Sequence, residues 1–121
     1  MKRTSHTQRT LALLKKEGWT VGIVERWIAF AKKRIDLFGI IDIVAIRPGV
    51  IFGVQSCGEA VADHVTKALA EPKLAEWLAA GGEFMIIGWT KKGPRGKVKK
   101  WTPRKLYAAL VGGRILMQEF K

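Results

Sequence analysis

Apolar residues occur along the chain in blocks whose period changes several times. Leu11, Ala12 and Leu14 fall on one helical stripe just after Ser5-His6-Thr7-Gln8. Serine followed three positions later by glutamine is a capping box, so the spacing predicts a helix over residues 7–17, closed by Gly18. Val21, Ile23, Val24 and Trp27 then favour a strand across residues 19–27, followed by a basic loop at Lys32-Lys33-Arg34. Residues 39–47 and 50–56 are two apolar, β-branched runs, and Pro48-Gly49 between them is a turn pair. Together they predict an antiparallel hairpin that is apolar on both faces and therefore central and covered. Residues 59–80 carry a helical pattern interrupted at Pro72 and ended by Gly81-Gly82, and residues 83–90 form a further apolar strand. Residues 91–100 are a basic loop containing glycine and proline, with a short strand that includes Val98 and Trp101. Thr102-Pro103 has the form of an N-cap and first helical residue, which predicts a final helix. This order of elements predicts an α/β fold, a mixed central β-sheet flanked by helices.

Composition narrows the class. A chain of 121 residues fits one domain, 1–121, with a basic loop at 91–105 and a C-terminal helical segment. Hydrophobic residues make up 48% of it, including five tryptophans, enough for a core without disulfides or a structural metal. The single cysteine, Cys57, excludes an intramolecular disulfide and a cysteine-based zinc site, and suits a reducing cytosol. No apolar run approaches the ~20 residues that span a bilayer, and no signal peptide is evident, so a cytoplasmic protein with no membrane partner is expected.

Charge changes the picture most. Lys and Arg number 22 against 10 acids, a formal net charge of +12. Many cations gain by meeting phosphates and releasing their counterions, which makes nucleic acid the expected partner. A membrane surface would want a single amphipathic helix with a basic face, whereas here the charge is spread along the chain. The densest stretch, residues 91–105, holds eight cations and no acid: Lys91, Lys92, Arg95, Lys97, Lys99, Lys100, Arg104 and Lys105. With Lys32, Lys33 and Arg34, the cations Lys91, Lys92, Arg95, Lys97, Lys99 and Lys100 are the expected phosphate contacts. Trp89 precedes the cluster and Trp101 lies inside it, and Trp101 suits the core somewhat better than it suits base stacking.

One carboxylate stands out. Asp42 sits within Ile40-Ile41-Asp42-Ile43-Val44, where an ionised group is costly unless it is paired or bound to a cation. With Pro48-Gly49 as the loop centre, Asp42 faces Gln55 across the hairpin, on the same face and about 5 Å away at Cβ. Two oxygen-bearing side chains then converge, and the backbone carbonyl of Ser56 offers a third oxygen. That set suits a hard divalent cation such as Mg²⁺, with Mn²⁺ as a substitute; a buried Asp–Gln hydrogen bond is the plainer alternative. His6 and His64 have no partners at zinc spacing, no phosphate-binding glycine loop is present, and a Cys57–His64 nucleophile pair would lack any assisting group.

An aspartate, a hairpin turn, and a strand ending in an acid-x-Lys motif form the signature of the PD-(D/E)XK nucleases. Here Ile41-Asp42 stands at the Pro-Asp position and Gln55-Ser56-Cys57 at the acid-x-Lys position. The surrounding order of elements, over most of residues 8–105, resembles the archaeal-type Holliday junction resolvases, which are basic dimers of about this length. The Asp36-Leu37-Phe38-Gly39 stretch also resembles one found in phage-encoded proteins, which would place such a protein in the host cytoplasm. The resemblance implies a restriction-endonuclease-like fold and a Mg²⁺-dependent endonuclease, a homodimer that cuts branched DNA such as four-way junctions. It also implies metal ligation by Asp42, Gln55 and Ser56, and catalysis by Asp42 and Gln55.

The chain departs from that pattern in three places. Gln55 replaces the usual acid, and Cys57 stands where the lysine should be. The first-helix glutamate of the family has no counterpart, since Thr7, Gln8 and Arg9 occupy its place. Gln8 is then better explained as a cap, and Glu25 is either a substitute ligand or a surface acid on an edge strand. Asp36 either lies near the site or caps its turn. Lys67, on the helix after the motif strand, is a candidate replacement for the lysine, with His64 as its rival and a solvated lysine as the plain alternative. Two other functions stay open: a catalytically inactive DNA-binding module of the same fold, and a nickase or repair nuclease.

Overall fold

The hairpin dictated by Pro48-Gly49 supplies the second and third strands of a six-stranded sheet. A computed structural model describes residues 5–95 and 99–120. Its elements in chain order are α1 (His6–Lys16), β1 (Thr20–Ile23), β2 (Arg26–Ile28), β3 (Lys33–Ile35), β4 (Ile43–Arg47), β5 (Val50–Cys57), α2 (Val61–Ala70), α3 (Pro72–Ala79), β6 (Glu83–Lys92), β7 (Lys100–Val111) and β8 (Arg114–Phe120). The sheet order is β1-β4-β5-β6-β7-β8, and β2 and β3 form a separate two-stranded ribbon. All neighbours are antiparallel except β5 and β6, which α2 and α3 connect as a crossover. The fold is therefore α/β with a mixed sheet, as the sequence pattern predicts.

Side chains alternate along the central strands to fill two cores. On one face Leu11 and Leu14 of α1 pack against Ile43, Ala45, Phe52, Val54, Met85, Ile87 and Trp89. On the other, Val61, Ala68 and Leu74 of α2 and α3 meet Ile40, Ile41, Cys57, Phe84, Ile86 and Leu106. Ser5 caps α1 and accepts from the Gln8 backbone amide at 3.1 Å, one half of the expected capping box; among the described residues the Gln8 side chain makes no return bond to Ser5. Gly88 lets α2 approach β6, because a Cβ there would collide with the Val61 side chain.

Three expectations are corrected. Residues 102–111 are not a helix but the length of β7, hairpinned to β8 through Gly112 and Gly113. Both glycines have positive φ, 57° and 79°, as a tight hairpin turn demands. Pro103 is tolerated because β8 pairs only with residues 105–111, which leaves this part of β7 at an edge. The strand expected over residues 19–27 breaks at Val24-Glu25 into β1 and β2, which join different sheets. The basic loop at Lys32-Lys33-Arg34 is largely β3, paired with β2. Val98, assigned to a short strand, lies outside the described residues.

Candidate metal centre and its basic flanks

Asp42 is fixed by its own backbone before its side chain does anything. Its amide donates to the Val54 carbonyl at 3.0 Å, and its carbonyl accepts from the Val24 amide at 3.0 Å. The carboxylate is thereby held on the α2–α3 face, with the residue only 4% exposed. Ile43 pairs with Val54, so Gln55 is the next facing residue, as the hairpin count predicts. The Gln55 amide Nε2 donates to Asp42 Oδ2 at 3.2 Å and to Asp36 Oδ2 at 3.3 Å. The Ser56 amide donates to both Asp42 oxygens, at 3.1 and 3.2 Å. Strand alternation turns the Ser56 carbonyl toward the same edge as its amide.

Two further acids complete the cluster. Asp36 is brought back over Asp42 by the turn of Asp36-Leu37-Phe38-Gly39, closed by a Gly39 amide bond to the Asp36 carbonyl at 3.0 Å. Phe38 and Gly39 both take positive φ there, 56° and 75°. Glu25 enters from the break between β1 and β2. Carboxylate oxygens of Glu25, Asp36 and Asp42 all lie within 4.8 Å of one another. Burial, opposed by the Ser56 amide and reinforced by the Asp36 and Glu25 charges, pushes the Asp42 pKa up to about 7. Such crowding of carboxylates around a desolvated one is relieved by a cation. Glu25, Asp36 and Asp42, with the Gln55 side-chain oxygen after an amide flip and the Ser56 carbonyl, are an all-oxygen set of the kind that suits Mg²⁺.

The other expected residues fall at varying distance from this cluster. Cys57, where the resemblance implies a lysine, is buried, and burial together with the Asp42 charge pushes its thiol up to about 11, so it supplies no cation. Lys67 lies on the exposed side of α2 and makes no hydrogen bond or ion pair among the described residues, while Val61 and Ala68 of that helix face inward. His64 is half-buried, and its Nδ1 has no hydrogen-bond partner among the described residues. The cation that touches the cluster is Arg34, bonded to Glu25 at 2.7 Å. Asp36 is the member that residue pattern alone did not settle, since a turn cap and a ligand have the same sequence. From α1, the side chain that approaches the site is Thr10, not Gln8. Thr10 is fully buried, with its Oγ1 2.7 Å from Ser56 Oγ and accepting from Trp89 Nε1 at 2.8 Å.

Topology places cations on both sides. β5 and β6 are parallel, so both end at the edge of the sheet that carries Gln55 and Ser56. Beyond that edge β6 runs on through Lys91 and Lys92, and β7 returns from Lys100. β1 ends at the same edge, where Ile23 pairs with Ile43, and the β2–β3 ribbon leaves from there. The ribbon carries Arg26, Lys32, Lys33 and Arg34, and the other hairpin carries Lys91, Lys92, Arg95, Lys99 and Lys100, all exposed. Lys97 lies outside the described residues. Arg104 and Lys105 are instead paired internally, with Glu119 at 2.8 Å and Glu17 at 2.6 Å. No described helix is long and apolar enough to cross a membrane. Compared with known proteins, the chain matches no family model and no curated sequence.

Proposed function

We propose that this chain is a Mg²⁺-dependent endonuclease acting on branched DNA, most simply four-way junctions, as a symmetric dimer. The observation that carries the reading is the crowding of Glu25, Asp36 and Gln55 around a desolvated Asp42, between two basic hairpins that leave the same edge of the sheet. Such a cation would activate a water and stabilise charge building on a phosphodiester, and Mn²⁺ would serve in its place. The chain's own residues do the rest. Asp42, Glu25 and Asp36 neutralise and hold the cation, with the Gln55 side-chain oxygen and the Ser56 carbonyl as further ligands, the Ser56 amide orients Asp42, and the exposed cations hold the backbone. A restriction-endonuclease-like fold, and kinship with the archaeal-type Holliday junction resolvases, agree with a mixed sheet whose central hairpin bears the site. Junction preference and the dimer rest on that resemblance, since paired incisions need two sites related by a two-fold.

A second reading is favoured by one specific observation. Cys57 is a neutral thiol where the motif lysine would orient the attacking water, which favours an inert DNA-binding module of the same fold as the competing reading. One assay separates these readings. Wild-type protein is incubated with a labelled four-way junction and with supercoiled plasmid, in Mg²⁺ and in EDTA, beside Asp42→Ala. The nuclease reading expects paired junction cuts in Mg²⁺ only, lost in Asp42→Ala with binding retained. Binding without cleavage by the wild type would establish the inert module, and plasmid nicking without junction cleavage would establish a nickase.

A further inference from the structure

The sequence pattern suits Trp101 to the core somewhat better than to base stacking, and the structure removes it from the core. Its residue is 40% exposed, and it stands on β7 opposite Lys91. The Arg9 guanidinium lies 3.9 Å from the indole centroid, the Lys91 ammonium lies 5.1 Å from it, and the His6 ring meets it edge-on at 5.2 Å. Beside this ring is a groove of about 460 Å³ between α1 and β7. Ala12 and Leu13 wall it on the helix side, Pro103 and Trp101 on the strand side, and Trp89 also lines it. Arg9 and Lys16 line it too, no carboxylate does, and the nearby acid Glu17 is already bonded to Lys105.

The chemistry of this groove is an apolar slot with aromatic walls and a cationic rim. A simple anion has no use for the slot, and an apolar ligand has no use for the rim. A nucleotide uses both, with its base against the indole and its phosphates on the cations. The groove suits one small ligand and not a duplex, whose bases are stacked away inside the helix. It is also coupled to the acidic cluster. Trp89 donates to Thr10, Thr10 bonds Ser56 Oγ, and the Ser56 amide holds Asp42. The groove lies on the α1 face and the cluster on the α2–α3 face of the same strand end.

We propose that this groove binds an unpaired base of the DNA substrate, with Trp101 as its stacking platform and Arg9, Lys16 and Lys91 holding the adjoining phosphates. The proposal rests on the nucleic-acid half of the reading above and not on the cation. Among branched DNAs it favours those that expose an unpaired nucleotide over those whose arms are fully paired.

The test is a binding comparison in EDTA, read by fluorescence anisotropy, using a thymidine dodecamer, an abasic strand of the same length, and a blunt duplex. The wild type is expected to bind the dodecamer about tenfold more tightly than the abasic strand. Trp101→Ala should erase that ratio, Trp101→Phe should largely keep it, and duplex affinity should change less than about twofold. Ala12→Trp, at an exposed helix position, fills the slot while leaving Trp101 in the chain and should erase the ratio as well. Equal wild-type binding to the thymidine and abasic strands overturns the proposal, as does a normal ratio in both Trp101→Ala and Ala12→Trp. The comparison is made in EDTA and reads binding alone, so a failed cleavage assay and a failed base site are told apart.

Discussion

Replacing Asp42 by asparagine should make the metal-free protein more stable at pH 8, and the size of the gain follows from the site. An ordinary aspartate titrates at 3.8, whereas Asp42 in the folded chain titrates at about 7. The folded state therefore holds a proton that the unfolded chain has released, and stability falls as pH rises from about 4 to about 7, then levels. At ~1.4 kcal/mol per tenfold difference in proton affinity, the ionised side chain costs ~4 kcal/mol above pH 7. Asparagine keeps an oxygen for the Ser56 amide but forfeits charge assistance worth ~1 kcal/mol, leaving a gain of ~3 kcal/mol. For a chain of this size that is roughly 10 °C in Tm. His6, whose pKa is lowered by burial and by Arg9, has the opposite pH trend but is common to both proteins and cancels in the difference. Thermal melts at pH 5 and pH 8 in EDTA measure the difference. The advantage of the variant should grow with pH, and millimolar Mg²⁺ should close it by stabilising only the wild type. A wild type no less stable than Asp42→Asn at pH 8, or one that gains on the variant as pH rises, would refute the assignment of Asp42 as a desolvated, cation-requiring carboxylate.

Other consequences are open to simpler measurements. Asp36→Asn and Glu25→Gln should each raise the Mg²⁺ concentration for half-maximal junction cleavage by tenfold or more, at unchanged DNA affinity; an unmoved midpoint removes that residue from the ligand set. Replacing Lys91, Lys92, Lys99 and Lys100 with alanine should lower the slope of log K against log salt by up to ~0.9 per lost phosphate contact, and an unchanged slope would take this hairpin out of the interface. Gly88→Ala should cost ~1–3 kcal/mol in urea denaturation by forcing Val61 and α2 off β6, while Gly22→Ala, with nothing within 4 Å of its Cβ, should be close to neutral.

What the residue pattern revealed and what it hid divide along physical lines. A two-residue turn fixes register for everything that follows it, so Pro48-Gly49 alone was enough to set Asp42 opposite Gln55. The capping box fixed the start of α1 in the same local way. Residues 102–111 carry helix-favouring Leu and Ala behind a Thr-Pro pair, yet they pair with β6 and β8 because a tertiary partner outweighs local preference. The two glycines after them were the signal for a hairpin. The break at Val24-Glu25 has no turn residue to announce it, and so Glu25 was placed in a strand and not at the corner where it meets Asp36 and Asp42. Asp36 was hidden for a related reason. Its fold-back depends on positive φ at Phe38, a conformation that a phenylalanine does not advertise.

The acidic cluster and its collar, Glu25, Asp36, Asp42, Gln55 and Ser56, come from one short stretch of chain, whereas the cations of the β6–β7 hairpin lie well downstream, out at its tip. Under the proposed reading, one part of the grip, the β2–β3 ribbon with Arg26, Lys32, Lys33 and Arg34, is inherited with the carboxylates, and the other, the β6–β7 hairpin, apart from them. Under the proposed reading, exchanging Gly93, Pro94, Arg95 and Lys99, which lie outside both β6 and β7, should alter which nucleic-acid shapes are held without disturbing the carboxylates. If the chain holds DNA as proposed, libraries randomised at these positions, over a fixed residue 25–56 segment, should shift substrate choice while the acidic cluster stays in place.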